Sequence, residues 1–166
     1  EFVEQNDALL TLGIEPTRPE TGYGYIQIGS AVDETISKVK TFTEKPNLEL
    51  AKVFLASGEF FWNSGIFMWK AQTVIDALHR YAPDIATVFD AGQDCFGTDR
   101  EMEFIAQEFP GCMSISIDFA IMEKASNVFV ERVNLGWNDL GTWSALYDNS
   151  PKNRESNVTQ NCSVLA

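Results

Sequence analysis

A carboxylate and an ammonium stand side by side in FTEKP, Phe42 to Pro46. Glu44 can accept hydrogen bonds from sugar hydroxyls, and Lys45 can meet a phosphate as a point charge. Neighbouring strand residues point to opposite faces, so both reach one ligand only where a strand is ending, and Pro46 supplies such an end. A solvated pair of surface charges fits the same residues. In PTRPETGYGYI, Pro16 to Ile26, Gly22 and Gly24 permit a tight turn with backbone N–H groups close to a ligand, and Tyr23 could cover the apolar face of a sugar. A purely structural turn fits there as well.

Two more stretches carry polar groups in apolar settings. Asn63, within FFWNSGIFMW, needs a partner for its amide, either a ligand hydroxyl or the backbone of a turn. Asp139, within GWNDLGTW, offers hard oxygen ligands to Mg²⁺, which takes one or two protein carboxylates together with substrate phosphates. A cap on a helix starting near Thr142 is the structural alternative. Asp118 and Glu123 in SIDFAIMEKA read as helix-start and surface residues, and His79 as a helix-surface residue. Cys95, Cys112 and Cys162 are widely spaced and odd in number, which makes neither a zinc pattern nor a disulfide framework and fits a reducing compartment.

These groups sit in a chain of 166 residues with a formal net charge of −12. Such a field repels phosphate backbones and argues against nucleic acid as a partner, while a local cation or metal can still hold a small phosphate. No apolar run approaches the roughly 20 residues of a membrane span. The N-terminal EFVEQND has no initiator Met, basic region or signal core and reads as the end of a helix, as if the chain began inside a domain.

The elements that must position these residues alternate. Strands are predicted over ALLTLGI, GYIQIG, SKVKTFTE and NVFVERV. Asn47 fits an N-cap for a helix whose face carries Leu48, Ala51 and Leu55, with Gly58 just past its end. FFWNSGIFMW is expected to be a loop feeding a central strand from Gly65 to Trp69. Val74, Ile75, Leu78 and Tyr81 have helical spacing, and further helices are expected over 85–91, 100–109, 117–125 with Ser116 as cap, and 142–147. The pattern predicts an α/β fold, a mixed sheet with flanking helices. The polar run Ser150 to Val158 suggests a boundary that leaves 1–150 as one domain and 151–166 as a linker.

Taken in order, GIEPTRPETGYGYI, VKTFTEKP, FFWNSGIFMW, SIDFAIMEKA and GWNDLGTW resemble the later portion of the nucleotidyltransferase domain of bacterial mannose-1-phosphate guanylyltransferases. EKP alone is shared across sugar-nucleotide pyrophosphorylases; the combination of PTRPETGYGYI with FWNSGIF and GWNDLGTW is specific to the mannose enzymes. The resemblance covers nearly the whole chain. It implies the C-terminal portion of a Rossmann-like nucleotide-diphospho-sugar transferase domain, in which Tyr23 and Gly24 contact the sugar. Glu44 then binds sugar hydroxyls, Lys45 the sugar phosphate and Asn63 the hexose, while Asp139 is one of two aspartates on the catalytic Mg²⁺. Lys45 and Asp139 are the implied catalytic residues. The implied reaction joins mannose-1-phosphate and GTP into GDP-mannose and releases pyrophosphate, in the cytoplasm.

The family's glycine-rich loop with its Arg, its first metal aspartate and its guanine-recognition residues have no counterpart here. The expectation is therefore a fragment holding the sugar-phosphate side of the domain and inactive alone. A non-catalytic binding or regulatory module, or a related hexose-1-phosphate nucleotidyltransferase, is the alternative. Missing early strands would leave a sheet edge open and favour a homo-oligomer. NVTQNCSVLA is expected to begin a strand of a downstream β domain, and an isomerase domain could follow it.

Overall fold

The structure, a computed structural model, describes residues 1–159 and divides into two units, Glu1–Asn134 and a second beginning at Leu135. The first unit carries α1 (Phe2–Gln5), β1 (Leu9–Ile14), β2 (Tyr25–Ala31), β3 (Ile36–Thr43), α2 (Leu48–Ser57) and β4 (Phe60–Met68). It continues with α3 (Ala71–Tyr81), α4 (Pro83–Asp90), α5 (Glu101–Glu108), a π-helical turn at Asp118–Met122 and β5 (Val128–Val133). In the second unit, α6 (Trp143–Asn149) follows the GWND loop. Thr142 caps it, its hydroxyl accepting from the Ala145 N–H at 3.1 Å.

The sheet is mixed, as predicted, but it closes on itself in the order β1-β4-β2-β3-β5. β1 runs antiparallel to β4 and parallel to β5, and β3 pairs antiparallel with β5. The open edge expected from the sequence is therefore absent among the described strands, because the β3–β5 pairing supplies each of those two with a second neighbour. The parallel pair is β1 with β5, and the other pairings are antiparallel. Leu9, Ile26, Phe42, Val128 and Val130 meet in the core, together with Ala77 of α3 and Ala120, Ile121 and Met122 of the π-helical turn.

Local chemistry explains the boundaries that hold and those that move. Asn47 Oδ1 accepts from the Leu50 N–H at 2.9 Å, and Gly58 ends α2 in the left-handed region at φ 70°. The buried face of α2 is Ala51 and Phe54, with Leu48 exposed, because Phe54 stacks on Phe60 of β4 with 3.9 Å between ring centroids. The run from Phe60 is a strand from its start and not a loop feeding one. Its irregularity is a bulge: Thr11 pairs with Phe67 but Gly13 with Asn63, and Gly65 absorbs the extra residues at φ 71°. The helix expected over 117–125 is the shorter π-helical turn. Asn157 to Thr159 adopt no regular structure; the rest of the predicted C-terminal strand, with Cys162, lies outside the described residues.

Closing the sheet brings β1 very near β5 and β4 at Gly13. A Cβ there would sit 2.5 Å from Val130 Cγ2 and 3.2 Å from Phe61 Cβ. Gly13→Ala is expected to cost about 1–3 kcal/mol through overpacking. Urea denaturation measures it, and an unchanged midpoint would show that the strands can move apart freely.

Candidate functional site

Asn63 is the centre of the cluster. It sits on β4 just before the bulge and is 9% exposed. The Thr11 hydroxyl donates to its Oδ1 at 2.8 Å, and the Gly65 N–H reaches the same oxygen at 3.3 Å. Its Nδ2 donates to Asp118 Oδ1 at 3.0 Å, and its backbone N–H donates to the Gly24 carbonyl at 2.8 Å. The partner that the sequence requires is thus supplied by the bulge backbone and by two side chains. Each amide carries two hydrogens on nitrogen, and the bond to Asp118 engages one of them.

Gly24, Glu44 and Lys45 join this residue. A Cβ on Gly24 would lie 2.5 Å from Glu44 Oε2 and 3.3 Å from Asn63 Cβ, so the carboxylate occupies the space that any larger residue would need. β3 ends at Thr43, and Lys45 adopts φ 46°, an uncommon value for a residue with a side chain. That departure from extended geometry lets adjacent residues meet, with Lys45 Nζ 2.7 Å from Glu44 Oε1. The Glu44 side chain is 9% exposed and that of Lys45 63% exposed. The Lys45 ammonium is held above its ordinary range, first by the hydrogen bond to Glu44, with the charges of Glu44 and Asp118 contributing.

Asp118 is the residue that sequence reasoning missed. It read as a helix-start residue, and 55 positions separate it from Asn63, so no local spacing links the two. The π-helical turn brings it in, with Ala120, Ile121 and Met122 buried behind it. Burial raises the Asp118 carboxyl above its ordinary range, and the charge of Glu44 adds to the rise. Thr11 also escaped notice, since a β-branched residue in a strand needs no further explanation.

The two other predicted residues have their own surroundings. Tyr23 is buried, its ring set edge-on to Trp62 with centroids 5.1 Å apart, and the Arg18 guanidinium lies over both rings. Glu20 Oε1 accepts from the Thr21 and Gly22 N–H groups, which fixes the backbone of that loop. Asp139 belongs to the second unit. Its Oδ1 accepts from the Gly141 N–H at 3.1 Å, and a Cβ on Gly141 would lie 2.6 Å from its Oδ2. Since Thr142 caps α6, Asp139 does not fill the capping role considered for it. Among the described residues no group of three or more His, Cys, Asp or Glu could hold a metal ion by itself. None of the described helices is long and apolar enough to cross a membrane.

A family model described as nucleotidyl transferase matches residues 1–156. A mannose-1-phosphate guanylyltransferase of Klebsiella pneumoniae is 42% identical over 156 residues, covering 90% of this chain and 33% of its own length. One from Escherichia coli is 39% identical over 157 residues, again covering 90% and 33%. The chain spans about a third of the length of the curated relatives it matches. A crystal structure from Thermus thermophilus, described as a mannose-1-phosphate geranyltransferase, superposes with a TM-score of 0.75 at 31% identity, over 88% of this chain and 42% of that one.

The raised carboxyl of Asp118 has a thermodynamic consequence. The folded protein holds that proton more tightly than the unfolded chain, so ionisation of Asp118 costs stability. The cost is absent below the unfolded value of about 3.9, grows as pH rises through the raised folded value, and is constant above it. Asp118→Asn is expected to raise the urea midpoint at pH 7, with the two proteins converging below about pH 4. A variant less stable than the parent at pH 7 would contradict this.

Proposed function

Because the chain belongs to the nucleotidyl transferase family, we propose that it binds mannose-1-phosphate for transfer of a guanylyl group from GTP, forming GDP-mannose and pyrophosphate. The observation that carries this reading is the meeting of Gly24, Glu44, Lys45 and Asn63 at one end of the barrel strands. Together they offer an acceptor for hexose hydroxyls, a cation for a phosphate and a fixed amide donor. The names of the curated relatives support mannose-1-phosphate and the guanylyl group as the specific substrates.

The chemistry asks little covalent work of the protein. An oxygen of the sugar phosphate attacks the α-phosphorus of GTP, and catalysis comes from positioning the two phosphates and balancing their charge. Glu44 and Asn63 orient the hexose. Lys45 exchanges its bond to Glu44 for one to the phosphate, which needs only a rotation of an exposed side chain. Asp139, whose Oδ1 accepts from the Gly141 N–H, would serve as one carboxylate ligand of a divalent ion, since Mg²⁺ takes one or two protein carboxylates and completes its shell from substrate phosphates and water. When bound there, Mg²⁺ would supply charge neutralisation on the phosphates. Tyr23, which the resemblance sets against the sugar, is largely buried, and its part is to hold the loop that ends at Gly24.

The same reading takes the chain as the sugar-phosphate side of its domain and places it in the cytoplasm, consistent with free Cys95 and Cys112. Self-association belongs to it too, supported by exposed Met102, Phe109 and Met113 and no longer by an open sheet edge.

Titration calorimetry with mannose-1-phosphate tests the reading. Lys45→Ala is expected to weaken binding about ten- to a hundredfold through loss of a charge-assisted contact, and Glu44→Ala to weaken it as well. Mg²⁺ is expected to strengthen GDP-mannose binding in the parent and not in Asp139→Ala. Failure of mannose-1-phosphate to bind, or binding indifferent to Glu44 and Lys45, would overturn the assignment; a metal response unchanged in Asp139→Ala would remove Asp139 from it.

A further inference from the structure

A carboxamide presents an acceptor oxygen and a donor nitrogen of nearly equal size, so rotating it by half a turn exchanges their chemistry with little change of shape. At Asn63 that choice decides whether a ligand meets a donor or an acceptor. Thr11 cannot decide it alone. Its hydroxyl can donate or accept, and the same oxygen lies 3.2 Å from the Ile66 carbonyl, an alternative target for its single hydrogen. The Gly65 N–H favours an oxygen facing it, but at 3.3 Å that bond is long.

Asp118 differs from both in that an ionised carboxylate only accepts. With its Oδ1 3.0 Å away, the flipped amide would set two acceptor oxygens against each other. Asp118 is itself held from behind. It opens the π-helical turn, its carbonyl accepting from the Glu123 N–H at 2.9 Å, and Ala120 to Met122, the last three residues of that turn, are packed into the core. Single π turns recur at functional sites.

We infer that Asp118 is a positioning residue: from the first position of the π-helical turn it fixes the Asn63 carboxamide nitrogen-first and so offers the second Nδ2 hydrogen to a hexose oxygen. This inference rests on the reading of the cluster as a sugar-phosphate site. It assigns Asn63 the part of donor, and Glu44 then serves as the complementary acceptor for hydroxyl hydrogens.

The experiment has a ligand-free arm and a binding arm, in the protein with Asp118→Asn, Asp118→Ala, Asn63→Ala and the Asn63→Ala/Asp118→Ala double substitution. In nitrogen-15 spectra the Asn63 side-chain amide, identified by its loss in Asn63→Ala, should shift strongly in Asp118→Ala and much less in Asp118→Asn, whose carbonyl oxygen still accepts. An amide unmoved by Asp118→Ala overturns the inference. Mannose-1-phosphate should bind about tenfold more weakly to Asp118→Ala and within about threefold of the parent to Asp118→Asn. The double variant should bind no more weakly than Asn63→Ala. Losses that multiply in the double variant, or Asp118→Asn as weak as Asp118→Ala, overturn it also. A parent protein that does not bind mannose-1-phosphate defeats the functional reading, and the amide spectra still decide the positioning.

Discussion

A primary amide placed inside a strand must be hydrogen-bonded or it costs the fold several kcal/mol, on the order of 2–7 by transfer from water. Asn63 meets that constraint by drawing together three separate parts of the chain. Thr11 comes from β1, Gly65 from the bulge of β4 itself, and Asp118 from the π-helical turn. At the bulge the Asn63 Oδ1 also lies 3.3 Å from the Gly65 N–H. Remove the amide and buried Thr11, half-buried Asp118 and the exposed Gly65 N–H each lose a partner, so the side chain is a structural tie as well as the donor we infer.

Charge gives the cluster its second constraint. Glu44 and Asp118 are carboxylates within electrostatic reach of one another, and Lys45 is the cation beside them. In the free protein the ammonium is committed to Glu44. A phosphate entering here adds negative charge to a chain already at −12, and the exposed Lys45 side chain can follow it while the buried Glu44 stays. Under the proposed reading a divalent ion would help to meet this balance, since one lysine is a weak counterweight to a sugar phosphate and a nucleoside triphosphate together.

How much of this could be read from the sequence depended on how local its cause was. The strands, the Asn47 cap and the Gly58 stop were legible because each rests on a few contiguous residues. The end of β3 at FTEKP was legible for the same reason, and it is what lets Glu44 and Lys45 meet. The β4 bulge was misread as a loop, since Asn-Ser-Gly carries turn chemistry whether or not it lies inside a ladder. Barrel closure was not legible at all: it depends on β5 finding both β1 and β3 across most of the chain. Asp118 was hidden by the same distance. Ser-x-Asp at the start of an apolar run has an adequate local explanation as a helix start, and nothing nearby indicates that the carboxylate bonds elsewhere.

On the proposed reading, the cluster gives a reason for a residue to sit against the interest of stability. Asp118 is half-buried, faces a second carboxylate, and has its ionised form disfavoured by both. A neutral residue would remove that penalty. What a neutral aliphatic residue could not do is hold the Asn63 nitrogen in one orientation, and what a neutral amide could do only conditionally is the same, because it can itself flip. The carboxylate is the side chain whose hydrogen-bonding sense is unambiguous. Under the inference drawn above, its cost in folding free energy is coupled to the definition of a donor at Asn63, as expected where local consistency gives way at a functional site.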